Sequence, residues 1–248
     1  MSSRQRRFFV VRFDACICYS FMKFVGDTGR TKSGWLESAP MKKILIANPK
    51  GGVGKSTLAT NLAGYFARQA AKVMLGDVDR QQSSQAWLNI RSPSLPPIAR
   101  WNIEPGRAAR PPKGTTHVVL DSPAGLHGRK LAALLELADN VIVPLQASLF
   151  DIFATRPFLD ELMRTKQFRK EQVRIAVVGM RVDPRTRAAG ELERFLEGTG
   201  LPVVAHLRDT QRYVQAAAHG MSIFDLPASA CAQDLAHWAP LLRWVDPV

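Results

Sequence analysis

Cysteine is scarce in this chain of 248 residues: there are three, and two of them, Cys16 and Cys18, lie near the start. An odd count argues against a disulfide framework, and a lone C-x-C without a second ligand pair is a weak metal pattern. Reduced thiols of a cytoplasmic protein are the reading, with Cys231 a helix residue near the C-terminus. No apolar run approaches the roughly 20 residues needed to span a bilayer. The opening residues place Arg4, Arg6, Arg7 and Arg12 around Phe8, Phe9, Val10 and Val11, but the apolar core and small-residue cleavage site of a secretory signal are not convincingly there. Acid is the deficient charge. With 21 Asp+Glu against 34 Lys+Arg the net charge is +13, which points to an anionic partner, nucleic acid first, although solubility accounts for part of it.

Residues 1–40 differ in texture from the rest, because no helical or strand period persists across them. They are read as an appendage, disordered or taken in upstream of a mis-assigned start, with a regulatory or targeting extension as the alternative. Met41 directly precedes Lys42-Lys43-Ile44. The segment holds seven Lys/Arg and three Asp/Glu, so residues 41–248 still carry +9 and the basic character belongs to the domain itself.

The organising stretch is Asn48-Pro49-Lys50-Gly51-Gly52-Val53-Gly54-Lys55-Ser56-Thr57. Before it, Lys43–Ala47 is an apolar run short enough for a buried strand; after it, Leu58, Leu62 and Phe66 recur at helical spacing. A strand that turns through glycines into a helix is the setting of a phosphate-binding loop. Glycines let successive N–H groups curl around an anion, and the helix N-terminus adds its partial positive charge. Lys55 would face the terminal phosphates and the Ser56 hydroxyl a magnesium ion. Pro49 replaces the first glycine of the general G-x-x-x-x-G-K-[ST] pattern.

The form K-G-G-x-G-K-[ST], with a second lysine inside the loop, resembles the deviant Walker A box of the ParA/MinD family of ATPases. The resemblance implies a doubly wound α/β fold with a mostly parallel sheet and helices on both faces. It also implies that ATP and Mg2+ bind along Lys50–Thr57 (Gly51, Gly52, Val53 and Gly54 between the lysines), and that Lys50 reaches the partner's phosphates in a nucleotide-sandwich homodimer.

Further boxes follow in order. Lys72–Asp79 reads as a second apolar strand ending in two acids on the same side, Asp77 and Asp79, and Asp77-Val78-Asp79-Arg80-Gln81 resembles the family's D-x-D-P-Q box with Arg80 in place of proline. By that resemblance Asp79 positions or activates the attacking water and Asp77 helps to hold the magnesium shell; a pair of acids capping a helix is the alternative. Ser83–Ile90 reads as a helix, and Arg91–Gly114, rich in proline and arginine, as a connecting loop with at most one short strand near Ile103. His117–Asp121 is an apolar strand ending in one acid, the Walker B form, with Asp121 near magnesium. Strands at 138–145, 173–179 and 202–207 and a helix at 150–165 complete the core. Met180 and Arg181 follow the family's adenine strand and are expected at the base. His219–Asp225 resembles the H-G-x-x-I-F-[ED] segment, with His219 in a structural role.

The resemblance runs from Met41 to about Trp244. It implies a slow ATPase that positions or partitions a DNA or protein cargo, bound to nucleoid DNA without sequence preference and stimulated by a ParB-like or cargo-adaptor protein. Lys50, Lys55 and Asp79 would carry catalysis, and Arg181, Arg185, Arg187, Arg208 and Arg212 are the expected DNA contacts. Two other functional classes are weighed. A MinD-like membrane regulator needs a basic amphipathic C-terminal helix, yet Arg243 stands alone there beside Leu235, Trp238, Leu242 and Val245. A cobyrinate- or dethiobiotin-synthase-like ligase is disfavoured by Lys50.

Overall fold

A computed structural model describes residues 40–104, 107–108, 111–183 and 185–247, so the expectations for residues 1–39 and for Cys16 and Cys18 lie outside the described residues. The core is a seven-stranded sheet. Its strands are β1 (Lys42–Ile46), β2 (Val73–Asp77), β3 (Ile98–Trp101), β6 (His117–Asp121), β7 (Asn140–Gln146), β8 (Arg174–Met180) and β9 (Val203–Leu207), in the spatial order β3-β2-β6-β1-β7-β8-β9. Every pairing among them is parallel.

Central strands of such a sheet are covered on both faces and therefore read as continuous apolar runs. In β1 the alternation is visible: Ile44 and Ile46 pack with Leu58, Leu62 and Phe66 of α1 (Lys55–Arg68) and with Trp238 and Leu241 of α8 (Ala228–Val245). Leu45 and Ala47 point the other way, toward Leu131 of α3 (Gly128–Leu135), Phe158 and Leu162 of α4 (Leu149–Arg164) and Leu192 of α6 (Arg187–Glu197). Short helices α2 (Ser83–Asn89), α5 (Lys166–Arg169) and α7 (Gln211–Ala217) complete the set. Pro144 sits inside central strand β7. It is tolerated because β7 pairs with β1 only through Ile142, so the missing N–H lies beyond the end of β1.

Two sequence expectations change here. The stretch 91–114 holds more than the one short strand expected near Ile103: that strand is β4 (Ile103–Glu104), paired antiparallel with β5 (Arg107–Ala108), and before it Ile98–Trp101 joins the sheet as its edge beside β2. An edge strand needs little apolar sequence, and in β3 only Trp101 is fully buried, which is why the pattern concealed it. Strand β2 ends at Asp77 and does not run on to Asp79. The Asp77 side chain accepts the Asp79 N–H at 3.0 Å and pulls the chain into a turn, so the two carboxylates do not share a strand face.

Helix α8 lays Cys231, Asp234, Trp238, Leu241 and Val245 inward. Trp238 is fully buried, its ring edge-on to Phe224 and its indole N–H donating to the Tyr213 hydroxyl. Its apolar face is therefore core. Among the described residues no helix is long and apolar enough to cross a membrane.

Candidate nucleotide site

The carboxyl ends of β1, β2, β6 and β7 converge on the loop between Ile46 and Lys55, at the point where strand order reverses and ligands of open α/β sheets bind. The loop is held from below. Buried Asn48 donates its amide to the Pro144 carbonyl (2.7 Å) and the Thr155 hydroxyl (3.2 Å), and its own oxygen accepts the Lys50 N–H (2.8 Å). Gly125 donates to the Pro49 carbonyl and Gln146 to that of Gly52. Gly52 and Gly54 lie at φ +74° and +99°, in the left-handed region that glycine enters without strain. Gly51 and Gly52 have nothing within 4 Å of where a Cβ would stand, leaving an open cradle, while a Cβ on Gly54 would come within 2.7 Å of the Met180 side chain.

The two lysines occupy different places. Lys55 is buried at the start of α1 and donates to the Lys50 carbonyl (2.8 Å), so its ammonium is folded across the inside of the loop. Burial lowers its pKa, and the nearby carboxylates of Asp121 and Asp79 act against that. Lys50 turns outward and pairs with the buried Asp151 carboxylate in the first turn of α4.

Asp121 and Asp77 sit opposite each other at the ends of β6 and β2, yet do different jobs. Both Asp77 oxygens accept backbone N–H groups: Oδ1 that of Asp79, Oδ2 those of Ser84 (2.9 Å) and Gln85 (3.3 Å). Asp77 thus caps α2, whose own N-cap residue, Gln82, makes no side-chain cap bond. Asp77 therefore takes the capping part that the sequence left as the alternative, and with three N–H groups on its two oxygens it keeps little acceptor capacity for a direct metal bond. Asp121 is the better ligand. Its Oδ2 accepts the Ser84 hydroxyl (2.5 Å), and its Oδ1 is buried with no hydrogen-bond partner among the described residues. Burial pushes its pKa up to about 6, against the hydroxyls of Ser56 and Ser84 and the charge of Lys55, which lower it. A buried, orphaned carboxylate oxygen beside a serine hydroxyl at the foot of a phosphate cradle is a donor set suited to a hard divalent cation.

Asp79 stands in a turn closed by the Gln82 N–H on the Asp79 carbonyl (3.1 Å), half-buried and close enough to Lys55 for their charges to interact. The turn forms with Arg80 at its second position, where proline would only preset the backbone angle. Of the expected adenine pair, Met180 is 5% exposed and lies against Gly54 from the core, while Arg181 is exposed at φ +54°.

The five arginines expected on DNA are not alike. Arg208 and Arg212 both pair with Asp234, whose side chain is fully buried, and so neutralise an internal charge. Arg185 forks onto its neighbour Asp183 with bonds of 3.0 and 2.8 Å. Arg187 is exposed in the first turn of α6 and Arg181 lies 4.0 Å from Asp209. Sequence reasoning missed Asn48, Ser84, Gln146 and Asp151. Only Asn48, flanking the loop, carried any local signal.

The family model described as the CobQ/CobB/MinD/ParA nucleotide binding domain matches residues 44–223. Over 184 residues the chain is 30% identical to the maintenance of carboxysome distribution protein A of Gloeobacter kilaueensis, covering 73% of this chain and 82% of that one. It is 29% identical over 195 residues to the chromosome-partitioning ATPase Soj of Thermus thermophilus, covering 66% and 73%. Its fold is similar to that of a Cyanothece McdA variant in complex with ATP, with a TM-score of 0.63 at 18% identity over 81% of this chain and 96% of that one. With the family model matched over residues 44–223 and the loop, the acids and the parallel sheet described above, the chain belongs to the CobQ/CobB/MinD/ParA nucleotide-binding family as a ParA-like P-loop ATPase.

Proposed function

We propose that the chain is a dimerising, MgATP-dependent ATPase that positions or partitions a DNA or protein cargo. The observation that carries this reading is the division of labour between the two loop lysines. Lys55 already crosses its own cradle, whereas Lys50 points out of it to the rim at Asp151. A cation placed there is suited to the phosphates of a second subunit. The two relatives named above are called a carboxysome-distribution protein and a chromosome-partitioning ATPase, and moving a large cargo is common to both names.

In this reading the loop N–H groups and Lys55 bind and orient the phosphates, and Ser56 and Asp121 hold magnesium, which when bound screens the charge on the phosphate oxygens. Asp79 orients the attacking water, and Lys50 in trans adds the last positive charge once two subunits meet, so that turnover is gated by dimerisation. The exposed cations of the domain, Arg181 and Arg187 foremost, bind DNA without sequence preference when two copies present them together, and a partner protein stimulates hydrolysis. The protein would then act in the cytoplasm, on the nucleoid. Helix α8 packs its apolar stripe into the core, which favours this reading over attachment to a membrane surface.

The test is light scattering with MgATP on the protein and two variants. Asp79→Ala is expected to bind ATP and remain a dimer while hydrolysis falls, and Lys55→Ala to lose nucleotide. An Asp79→Ala protein that binds ATP and stays monomeric contradicts the mechanism.

A further inference from the structure

The first two turns of α4 carry an unusual surface. Leu149, Phe150 and Phe153 are 52%, 80% and 63% exposed, three of the five large apolar side chains left outside the core among the described residues. Spacings of three and four residues put Phe153 beside both of the others on one face. The opposite face of the same helix is core, through Ile152, Thr155, Phe158 and Leu159. Between the exposed residues and the core face stands Asp151, which binds Lys50, so this apolar step is continuous with the rim of the phosphate loop. Ser148 fixes where the helix begins by accepting the Asp151 N–H, and Gln146, two residues earlier, reaches the Gly52 carbonyl. The patch is therefore anchored to the loop from both sides.

We infer that Leu149, Phe150 and Phe153 are the apolar contact through which a second copy of this chain closes over the nucleotide site. This rests on the dimeric reading above and names the surface that serves it. Where the two-fold axis of a symmetric pair passes at this patch, the patch meets its own copy, apolar against apolar, without a separate receptor surface. The area fits such a role. Taking roughly 200 Å² for a whole aromatic side chain, the three residues expose on the order of 350–400 Å² per copy. A symmetric pair would bury roughly 750 Å², below the ~1,200 Å² of a stable specific interface. The patch alone does not hold two copies together. Contacts made across the loops and a bound nucleotide must supply the rest, which makes association depend on ATP. A patch of this size at the edge of a charged site is also within the range that marks interaction surfaces on monomers.

The experiment uses the full-length protein with magnesium and a non-hydrolysable ATP analogue. Wild type is expected to dimerise, and Phe150→Ser/Phe153→Ser to raise the dimer dissociation constant by more than about tenfold, because two buried aromatic anchors are removed from each copy. A fluorescent ATP analogue should still bind the variant as a monomer, which shows that its fold is intact. Photocrosslinking from p-benzoylphenylalanine placed at 150 should link two copies with the analogue and not with ADP. If wild type stays monomeric, the dimeric reading itself fails. If wild type dimerises while the double variant dimerises equally well and the probe at 150 gives no link between copies, this inference alone is overturned. Retained dimerisation with loss of stimulation by a partner protein would assign the patch to that partner and overturn it as well.

Discussion

Replacing Asp121 by asparagine should make the nucleotide-free protein more stable while abolishing its response to magnesium. The Asp121 carboxylate is 1% exposed, one of its oxygens has no hydrogen-bond partner among the described residues, and burial holds its pKa near 6 against an ordinary value of 3.8. A folded-state pKa raised above the unfolded one means that stability is fully present below the unfolded value and is lost as pH rises through the folded one. At pH 7.5 the ionised group therefore costs the fold about 3 kcal/mol. Asparagine removes that cost and keeps an acceptor for Ser84, but its amide N–H groups need new partners, an offset of about 1–2 kcal/mol. The net gain is about 1–2 kcal/mol, or a rise in Tm of about 3–6 °C for a domain of this size. The assay is thermal denaturation of both proteins without nucleotide from pH 4 to 8, then with ATP in the presence of magnesium or of a chelator. The variant should be the less stable protein near pH 4, where only the amide offset remains, cross wild type at about pH 5 and reach its full gain above about pH 6; Asp77, also raised by burial, is present in both proteins and cancels. Magnesium should stabilise ATP-bound wild type and not the variant. A variant less stable than wild type at pH 7.5, or a difference independent of pH, would refute the reasoning.

Three further outcomes follow from the geometry. Arg208→Met removes one of two cations from fully buried Asp234 and should destabilise the protein by about 3 kcal/mol in urea unfolding. Burial raises that carboxyl's pKa, but the bonds and charges of Arg208 and Arg212 outweigh it and leave it lowered, so the arginines' contribution is present above the unfolded pKa and fades as pH falls through the folded one. DNA affinity measured against salt should require ATP, and Arg181→Ala/Arg187→Ala should flatten the slope by about 1 for each phosphate no longer neutralised, with ATP binding unchanged. Equal affinity with ATP and ADP would remove DNA binding from the switch. A chain beginning at Met41 should keep its Tm and its ATPase rate, and a large loss of either would show that residues 1–40 belong to the working protein.

Elements with a strong local signature were legible in the sequence. The phosphate loop announces itself because glycines, lysines and a hydroxyl must occur at fixed offsets between an apolar strand and a helix, and each of those is a property of neighbouring residues. The same holds for β6, an apolar run closed by Asp121. Strand β3 was concealed because an edge strand buries one residue in four and is made by its neighbour β2, not by its own pattern. The run Asp77–Asp79 misled for a related reason: alternation describes a strand only while it remains one, and a side-chain bond from Asp77 to the Asp79 N–H ended it.

Sequence alone determined that this chain folds as a nucleotide-binding α/β domain, since periodicity and loop chemistry are local and survive without knowledge of what packs where. Tertiary structure decided which charges are available. Asp77 caps α2, Arg208 and Arg212 share the buried charge of Asp234 on α8, and Lys50 is held at the rim of the loop by Asp151, far along the chain. A charged side chain has the same formula whether it is spent inside the fold or offered to a ligand. Only the partners that the fold brings within hydrogen-bonding distance make the difference.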